Sequence, residues 1–467
     1  MLSKKILISR RAERNFSKSL KRKKRERKRK AGFKRHLSLL KKNSKKYNFD
    51  FDKPKYQRKI STLFVKRPDY DDVINFLIPK YKQFCSLEIP DNENGILEVP
   101  SIFSISENYQ ETMFFLKRLF HILYKQQIQH IVIDYKECVN LDVDASAFMD
   151  IILMHFINYY DKCSRRGHKI QTQLIDVNNI SNPNIYKVLF SIGAYKNIKG
   201  LELERDHETD FIPFTLRIGD SLSDKNGIRK EIHETEIVDY VINCLEESGH
   251  TLTPESETHL SKVVGEVMAN AEEHSKFRYR YAIGYFIKPT VNNHLGVFKL
   301  TIFNFGQTIY ESFKNVESDN SKTIRQMRAL SYIYTKKGFF KPAKYEEQTL
   351  WTLYALQEGV TSVKNWKRGK GTIRFIDRFF KLKGDCEDDN LSKLTLISGN
   401  THIIFDGKYP LVEVEKNNNK FQMMTLNNSG NILQQPDDKF ITFVPHYFPG
   451  TLISAKIHIN DTNVEGI

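Results

Sequence analysis

A stretch near the middle of the chain has the periodicity of one long amphipathic helix. Thr253-Pro254 supplies an N-cap residue followed by proline at the first helical position. The apolar residues behind it recur every three or four positions and fall in one stripe: Leu260, Val263, Val264, Val267, Met268 and Ala271. Such a stripe must pack against other elements, so the sequence predicts a helix that covers a hydrophobic core.

Three polar residues follow each other at one-turn intervals along this predicted helix. Glu266, Asn270 and His274 are each four residues apart, on a shoulder beside the apolar stripe. A carboxylate and a carboxamide with this spacing can converge on one point above the helix. The amide oxygen is a hard ligand that suits Mg²⁺, and the carboxylate can orient or deprotonate a water molecule. The alternative is that both residues simply face solvent.

The segment around these residues resembles a motif of a known family. Residues 265–275 read GEVMANAEEHS. They resemble the N-box of the Bergerat-fold ATPases, the ATP-binding domains of gyrases, chaperones and histidine kinases, whose pattern is Glu-x-x-x-Asn-Ala-x-x-His-Ser. The resemblance implies ATP binding with Mg²⁺ coordinated through Asn270. It implies Glu266 as the water-activating base of the hydrolytic members.

A second segment resembles the family's Asp-x-Gly-x-Gly box. It follows two predicted strands (280–288 and 297–303) and contains Asn304, Gly306 and Thr308. In the family the aspartate accepts a hydrogen bond from the adenine amine. Asn304 replaces it, and an amide oxygen can accept the same bond, although the amide NH₂ then needs another partner. Thr308 replaces the second glycine. A simple loop is the alternative interpretation.

Two further segments complete the resemblance in the family's order. Gly369, Gly371 and Thr372 precede an apolar helical pattern, and glycines just before a helix let backbone N–H groups approach phosphate oxygens. This segment resembles the second glycine box, and residues 311–365 lie where relatives keep a mobile lid over the phosphates. Gly450-Thr451 opens an alternating strand. It matches the family's Gly-Thr, whose hydroxyl helps to hold adenine.

The region before residue 211 has a different pattern of elements. Helical and strand periodicities alternate, which favours a sheet covered by helices. The predicted elements are a helix over 111–127, a strand over 130–141, a helix after Asp144, a strand over 169–176 and a helix over 184–195. The sequence therefore predicts a small βαβα domain.

Two segments of this region resemble the STAS domain, the anti-sigma-factor-antagonist fold. They are DASAF (144–148) and the later VLFSIGAYKNIK. In the family an Asp-Ser-Ser-Gly-Leu element opens a helix and carries a phosphorylatable serine. Ser146 occupies one serine place, with Ala145 and Ala147 in place of the other serine and the glycine. Ser146 is a candidate phosphosite, but we favour an ordinary first-turn serine that bonds backbone.

The positive charge of the chain is confined to its first segment. Residues 1–46 contain 21 of the 73 Lys/Arg and two of the 56 Asp/Glu, which leaves 52 basic and 54 acidic side chains in the other 421 residues. Such a tail binds polyanions by releasing their counterions. We expect nucleic acid ahead of an acidic membrane surface as its ligand. A solvated tail that serves solubility or a protein contact is the alternative.

The predicted fold class is α/β. A C-terminal α/β sandwich of the Bergerat type (211–467) follows a smaller STAS-like βαβα domain (48–210) and a basic, disordered or helical tail (1–47). The five cysteines are widely spaced, no apolar stretch is long enough to span a membrane, and the first residues lack the apolar core of a secretion signal. We therefore expect a cytoplasmic protein with reduced thiols.

Three functions are compatible with these motifs. The first is a Mg²⁺-dependent ATPase or serine kinase that its own STAS-like region regulates, with further protein partners. The second is a nucleotide-controlled interaction switch with little or no turnover, which Asn304 and Thr308 favour. The third is a scaffold that has lost nucleotide binding. His233 is the only histidine placed to act as a kinase phosphoacceptor, and its short polar surroundings indicate an ordinary surface residue.

Overall fold

Two sheets of unequal size organise the part of the chain that the computed structural model describes. The described residues are 69–84, 89, 91, 94–126, 130–165, 174–193, 210–221, 228–247, 250–273, 277–288, 296–314, 321–335, 345–358, 360, 373, 376, 379, 392–416, 419–458 and 464–466. The described residues from 69 to 162 and from 174 to 466 belong to one compact unit. The basic tail predicted over 1–47 lies outside the described residues.

The smaller sheet lies in the first part of the larger unit, and we call residues 94–162 with 174–193 the small-sheet region. Strands β1, β3 and β5 form a parallel sheet, and β2 pairs in parallel with β4. The elements are α1 (Asp72–Phe84), β1 (Ile96–Glu98), β2 (Ile102–Phe103), α2 (Tyr109–His121) with a π-helical turn (Ile122–Gln126), β3 (His130–Asp134), β4 (Asn140–Leu141), α3 (Val143–Arg165), β5 (Leu174–Asn178) and α4 (Pro183–Ser191).

The predicted alternation of strands and helices is present, with one correction. The single strand predicted over 130–141 is wrong, because a turn divides it into β3 and β4. The Cys138 N–H donates to the Tyr135 carbonyl at 3.0 Å, and the two residues between them are exposed. Lys136 and Glu137 are charged and stay exposed, so the chain turns there and enters a second ladder.

The larger sheet has five strands in the order β10-β13-β9-β8-β6, and every neighbouring pair is antiparallel. The remaining elements are β6 (Phe211–Asp220), α5 (Ile228–Glu246), β7 (His250–Leu252), α6 (Pro254–Glu273), β8 (Tyr279–Ile287), β9 (Val297–Phe305), α7 (Ile309–Lys314), α8 (Ser321–Thr335), α9 (Glu347–Leu356), β10 (Lys393–Phe405), β11 (Val412–Lys416), β12 (Asn419–Met423), β13 (Ile441–His458) and β14 (Val464–Gly466). The α/β class predicted from the sequence is confirmed at this level.

Helices α5, α6 and α9 share a core with one face of the larger sheet, which we call the front face. The helix predicted from Thr253-Pro254 is present as α6, and the Ser256 N–H donates to the Thr253 hydroxyl at 3.2 Å as an N-cap bond. Its stripe residues Leu260, Val264 and Met268 share a core with sheet residues that include Ala282, Phe298, Leu300, Ile302 and Ile453. Amphipathic periodicity therefore predicted this layer correctly.

The small-sheet region packs on the opposite, back face of the larger sheet. The Phe148 ring of α3 lies 5.2 to 6.4 Å from the rings of Phe303, Phe305 and Phe448. Phe303 and Phe305 alternate with front-face residues along β9, so this strand belongs to both cores. None of the helices within the described ranges combines the length and apolarity needed to cross a bilayer.

A buried charge cluster joins the two regions on the back face. Lys299 of β9, 3% exposed, donates from Nζ to Asp142 Oδ2 at 2.7 Å and to Ser106 Oγ at 3.1 Å. Asp144 accepts the N–H groups of Ile105 and Ser106 at 2.9 and 3.0 Å. Burial and the charge of Asp142 raise the pKa of Asp144 to about 6, whereas Lys299 keeps the pKa of Asp142 below its usual value despite burial.

Candidate functional site

A row of polar side chains crosses the front face of the larger sheet at one end. Asn304 of β9 is the register partner of Arg280 on β8 and of Thr451 on β13, and Thr451 is in turn the partner of Ser398 on β10. Directly opposed residues of antiparallel strands point to the same face. Ile302 and Ile453, two residues inward, lie in the core with α6. We call Arg280, Asn304, Thr451 and Ser398 the polar row.

Two glycines let β13 approach β9 closely enough to form this row. A Cβ at Gly450 would overlap the carbonyl oxygen of Asn304. Gly306 has a φ of 141°, which side-chain-bearing residues rarely adopt, and its N–H donates to the Pro449 carbonyl at 3.0 Å. The predicted Gly306 and Thr451 therefore belong to one junction, where two segments distant in sequence meet beside Asn304.

The hydroxyl of Ser398 connects the row to the loop that follows β9. Ser398 Oγ accepts the Ile309 N–H at 2.9 Å and lies 2.9 Å from Thr451 Oγ1 and 3.3 Å from the Gly450 carbonyl oxygen. The Ser398 side chain thus holds both the first residue of α7 and the Gly450-Thr451 pair of β13. Sequence analysis missed Ser398, because only strand pairing brings it to the site.

Thr308 has a structural role in this loop. Its Oγ1 accepts the Glu311 N–H at 3.1 Å, and its own N–H donates to Glu311 Oε2 at 3.1 Å, which is a capping box. Glu311 Oε1 also accepts from Lys80 at 2.9 Å and from Tyr447 at 3.1 Å. Burial opposes the charge on Glu311, but these bonds hold its pKa below the usual value. Thr308 therefore begins helix α7 where the family has a second glycine.

Helix α6 carries the predicted Glu266 and Asn270 one turn apart. Glu266 is half-buried, and the side chain of Asn270 lies outside the described residues. Gly265 faces helix α5, since a Cβ there would lie 3.5 Å from Glu234 Oε2. Burial raises the pKa of Glu234, and Lys230 and Arg280 only partly offset this. The carboxylate of Glu234 therefore lies beside Gly265 and interacts electrostatically with Arg280 of the polar row.

Arg280 is a second member of the row that sequence analysis did not identify. It is 3% exposed in a largely apolar strand, and its side chain covers Gly219, where a Cβ would lie 2.6 to 2.7 Å from the Cγ, Cζ and Nε atoms. A buried arginine is rare without a specific role. The sequence did contain a signal for Arg280, because it is the one charged residue in the otherwise uncharged strand β8.

The segment predicted as the second glycine box is not among the described residues. Gly369, Gly371 and Thr372 lie outside them. The helical positions that follow are described at Ile373, Ile376 and Phe379, and all three are buried in the front-face core. The apolar helical pattern predicted after the glycines therefore packs on the same side as α6.

Ser146, the candidate phosphosite, lies inside the small-sheet region. It is 1% exposed in helix α3, and a Cβ at Gly193 would come within 3.0 Å of its Oγ. Among the described residues that Oγ has no hydrogen-bond partner, so the favoured interpretation of a first-turn serine that bonds backbone is wrong. Because Phe148 of the same helix packs on the back face, α3 and the polar row lie on opposite sides of the larger sheet.

The structure thus brings Asn304, Gly306 and Thr451 together beside the helix that carries Glu266 and Asn270. The described residues contain no group of three or more His, Cys, Asp or Glu side chains placed to hold a metal. No family model, no curated protein and no solved structure matches this chain significantly.

Proposed function

We propose that the chain is a Mg²⁺-dependent ATP-binding regulatory protein of the Bergerat type, with the nucleotide between helix α6 and the polar row. The observation that carries the proposal is the pairing of Asn304 with Thr451 on the sheet face that α6 covers. Two motifs that are far apart in the sequence meet there, next to the helix that bears Glu266 and Asn270.

Each site residue has a role that its chemistry supports. The Asn304 amide and the Thr451 hydroxyl would hold the base, and Asn270 would contribute an amide oxygen to Mg²⁺. Gly306 keeps the loop after β9 close to β13, while Gly369, Gly371 and Thr372 would offer backbone N–H groups to phosphate. Mg²⁺ would neutralise phosphate charge when bound. Glu266 would orient or deprotonate the attacking water or hydroxyl.

Nucleotide binding is tested by thermal unfolding of the full chain with and without Mg²⁺ and ATP. A ligand that binds only the folded state stabilises it by RT ln(1 + [L]/Kd), so millimolar ATP should raise the melting temperature in a magnesium-dependent way. An unchanged melting temperature at millimolar ATP would contradict the proposal and favour a scaffold without nucleotide.

The reaction class, ATPase or serine kinase, is tested through Glu266. Glu266→Ala should lower phosphate release about 10²- to 10⁴-fold, since the substitution removes the general base. ATP should still raise the melting temperature, because the residues proposed to hold adenine are unchanged. Glu257→Ala, an exposed glutamate of the same helix, is the matched control. Equal hydrolysis by both variants would exclude Glu266 as the base.

A nucleotide-gated switch with little turnover is the second candidate, and the position of β9 favours it. This strand carries Asn304 on the front face and Phe303, Phe305 and Lys299 on the back face, where the small-sheet region packs. Incubation with γ-labelled ATP distinguishes the candidates. A switch leaves the protein unlabelled and releases little phosphate. Label on Ser146 would require α3 to leave the back face and would favour the kinase.

The remaining assignments of the proposal concern the rest of the chain. We assign the small-sheet region as a STAS-like regulatory module with protein partners and the basic tail as a polyanion-binding segment for nucleic acid or an acidic membrane. Cys138, Cys163 and Cys244 are buried, and none of the three forms a disulfide bond. Reduced thiols of this kind support a cytoplasmic protein.

A further inference from the structure

Three side chains that take no part in the proposed nucleotide site form one hydrogen-bonded chain. They come from separate segments: Tyr81 lies near the end of α1, Asp91 in the segment that follows, and His121 at the end of α2. The Tyr81 hydroxyl bonds to His121 Nδ1, and His121 Nε2 lies 3.2 Å from Asp91 Oδ1. The histidine therefore connects a phenol to a carboxylate, and we call the three residues the tyrosine triad.

The partners of His121 determine which of its ring nitrogens carries the proton. A carboxylate only accepts, so Nε2 carries the proton and donates to Asp91. Nδ1 then has a lone pair that accepts the hydrogen bond from the Tyr81 hydroxyl. A nucleophile bonded to a base, with the base oriented by a third group, is the arrangement that activates nucleophiles in covalent catalysis. Tyr81 has the position of the nucleophile in this arrangement.

The tyrosine triad is accessible from solvent. The side chain of His121 is 15% exposed, that of Asp91 is 77% exposed, and Tyr81 is half-buried. A tyrosine that serves packing alone differs in both respects, as Tyr160 shows: it is 6% exposed, and its hydroxyl donates to the Leu123 carbonyl at 2.7 Å. Small molecules in solution can therefore reach the triad.

The charges around the triad favour a neutral substrate over a phosphate ester. The Asp91 carboxylate repels a phosphate group, which itself carries close to two negative charges at neutral pH. Lys125 contributes one ammonium group, 5.8 Å from the centre of the Tyr81 ring. One cation matches the single negative charge that develops on a carbonyl oxygen under nucleophilic attack. An acyl group is therefore the better match.

The product of acyl transfer to a tyrosine limits which donors can react. The ester formed has a phenol as its leaving group, and a phenol ionises at about pH 10. Such an ester accumulates only when the leaving group of the donor is equally good or better. Thioesters and aryl esters meet this condition, whereas esters of simple alcohols do not.

We propose that Tyr81, His121 and Asp91 form a nucleophilic site that accepts acyl groups from thioesters or aryl esters. Tyr81 Oη forms a bond to the carbonyl carbon while its proton passes to His121 Nδ1, and Asp91 stabilises the imidazolium. The bond from that carbon to the leaving sulfur or oxygen then breaks, and the leaving group takes the proton from His121. Water hydrolyses the tyrosine ester with His121 as base and restores the phenol. Asp91 acts through His121 and is a positioning residue.

Reaction of the full wild-type chain with p-nitrophenyl acetate tests the proposal, which does not depend on nucleotide binding. We expect a burst of about one p-nitrophenolate per chain, and peptide mass spectrometry should find the acetyl group on Tyr81. Tyr186 is an internal control, because it is 41% exposed and its ring packs against Phe190. Tyr81 should be acetylated at least about 100-fold faster than Tyr186, the lower end of the effect of a general base. Equal rates at the two tyrosines would overturn the proposal.

Three variants assign the roles within the triad. Tyr81→Phe should abolish the burst, and His121→Gln should slow acetylation of Tyr81 about 10²- to 10⁴-fold. Asp91→Asn should also slow it, whereas Glu98→Gln removes an exposed carboxylate of β1 and should keep the wild-type rate. Thermal unfolding checks that each variant is folded. A burst that survives in Tyr81→Phe, or a wild-type rate in His121→Gln, would contradict the assignment.

The pH dependence of acetylation needs no variant and distinguishes an assisted phenol from one that is only exposed. Tyr186 reacts as its phenolate, so its acetylation should rise about tenfold per pH unit up to about pH 10. Acetylation of Tyr81 should level off at lower pH, because an imidazole base is fully active once it is neutral. Parallel pH profiles for the two tyrosines would show that His121 has only a structural role and would overturn the proposal.

Discussion

Burial and charge oppose each other at Lys299. Its ammonium group is removed from water and compensated by Asp142 at 2.7 Å, and this pair raises the pKa of Lys299 above its usual value. Its register neighbour Lys456 points to the same face but is 35% exposed and lies 3.8 Å from Glu107. The two lysines therefore separate the contribution of burial from that of charge.

We expect Lys299→Met to lower the free energy of unfolding by about 3 to 5 kcal/mol, because it leaves Asp142 buried without its counterion. Lys456→Met should change it by less than about 1 kcal/mol, as exposed pairs contribute little. Urea denaturation of both variants measures the difference. Adding Asp142→Leu to Lys299→Met should recover part of the loss, and equal effects of the two single variants would contradict the buried-pair account.

His402 gives the stability a dependence on pH. Burial lowers its pKa to about 4, its ring stacks on Tyr109 at 6.0 Å, and among the described residues its Nε2 has no hydrogen-bond partner. The unfolded state, with a pKa near 6.5, binds a proton first as the pH falls. The contribution of neutral His402 is therefore intact above pH 6.5 and is lost as the pH falls towards 4.

The expected loss from this residue is at most about 3 kcal/mol between pH 6.5 and 4. His402→Phe keeps a buried ring and should reduce the pH dependence of the unfolding free energy over that window. His446, whose pKa burial and Lys117 also lower to about 4, should retain part of it.

At the scale of single elements, the sequence predicted what local chemistry determines. Helix α6 was predictable from its N-cap and stripe, and the Thr308 capping box was readable as Thr-x-x-Glu but was interpreted as a lost glycine. The family resemblance gave Asn304 and Thr451 a common role at adenine, but their pairing on adjacent strands was not predicted. The contact of Lys299 with Asp142 was not predictable, because long-range contacts leave no periodic signal in the sequence.

The junction of β9 with β13 depends on Gly450, and substitution there should affect both stability and binding. In Gly450→Ala the new methyl group overlaps the Asn304 carbonyl, so β13 must move away from β9. We expect the free energy of unfolding to fall by about 1 to 3 kcal/mol, as in overpacked cores, and ATP affinity to fall because Thr451 is displaced. Denaturation and nucleotide titration measure the two effects.

Gly265→Ala is the matched control, with an expected change of opposite sign. Gly265 lies inside α6, where alanine is favoured over glycine, and its Cβ would meet only ordinary contacts at 3.5 Å. The free energy of unfolding should therefore rise by about 0.5 to 1 kcal/mol. A stabilised Gly450→Ala variant would show that the close approach is not required.

At the scale of the whole molecule, β9 is shared by two cores, and this arrangement couples its faces. A nucleotide that orders the front face at Asn304 also orders the strand whose Phe303 and Phe305 receive Phe148 from the small-sheet region. Local opening of α3 should then become rarer, because docking of α3 needs the same strand in place.

Hydrogen exchange of the full chain with and without Mg²⁺ and ATP measures this coupling. We expect slower exchange of backbone amides in α6 and β9, and also in the first half of α3, which makes no part of the proposed site. Among the described strands, β11 and β12 form a two-stranded sheet apart from both larger ones, bonded to Glu358 beyond the end of α9, and this hairpin should exchange at an unchanged rate. Protection of α6 and β9 without any change in α3 would mean that the effect of nucleotide binding on hydrogen exchange is confined to the front face of the sheet. In that case the sheet separates the two regions, and the interaction switch loses its structural basis while ATP binding remains.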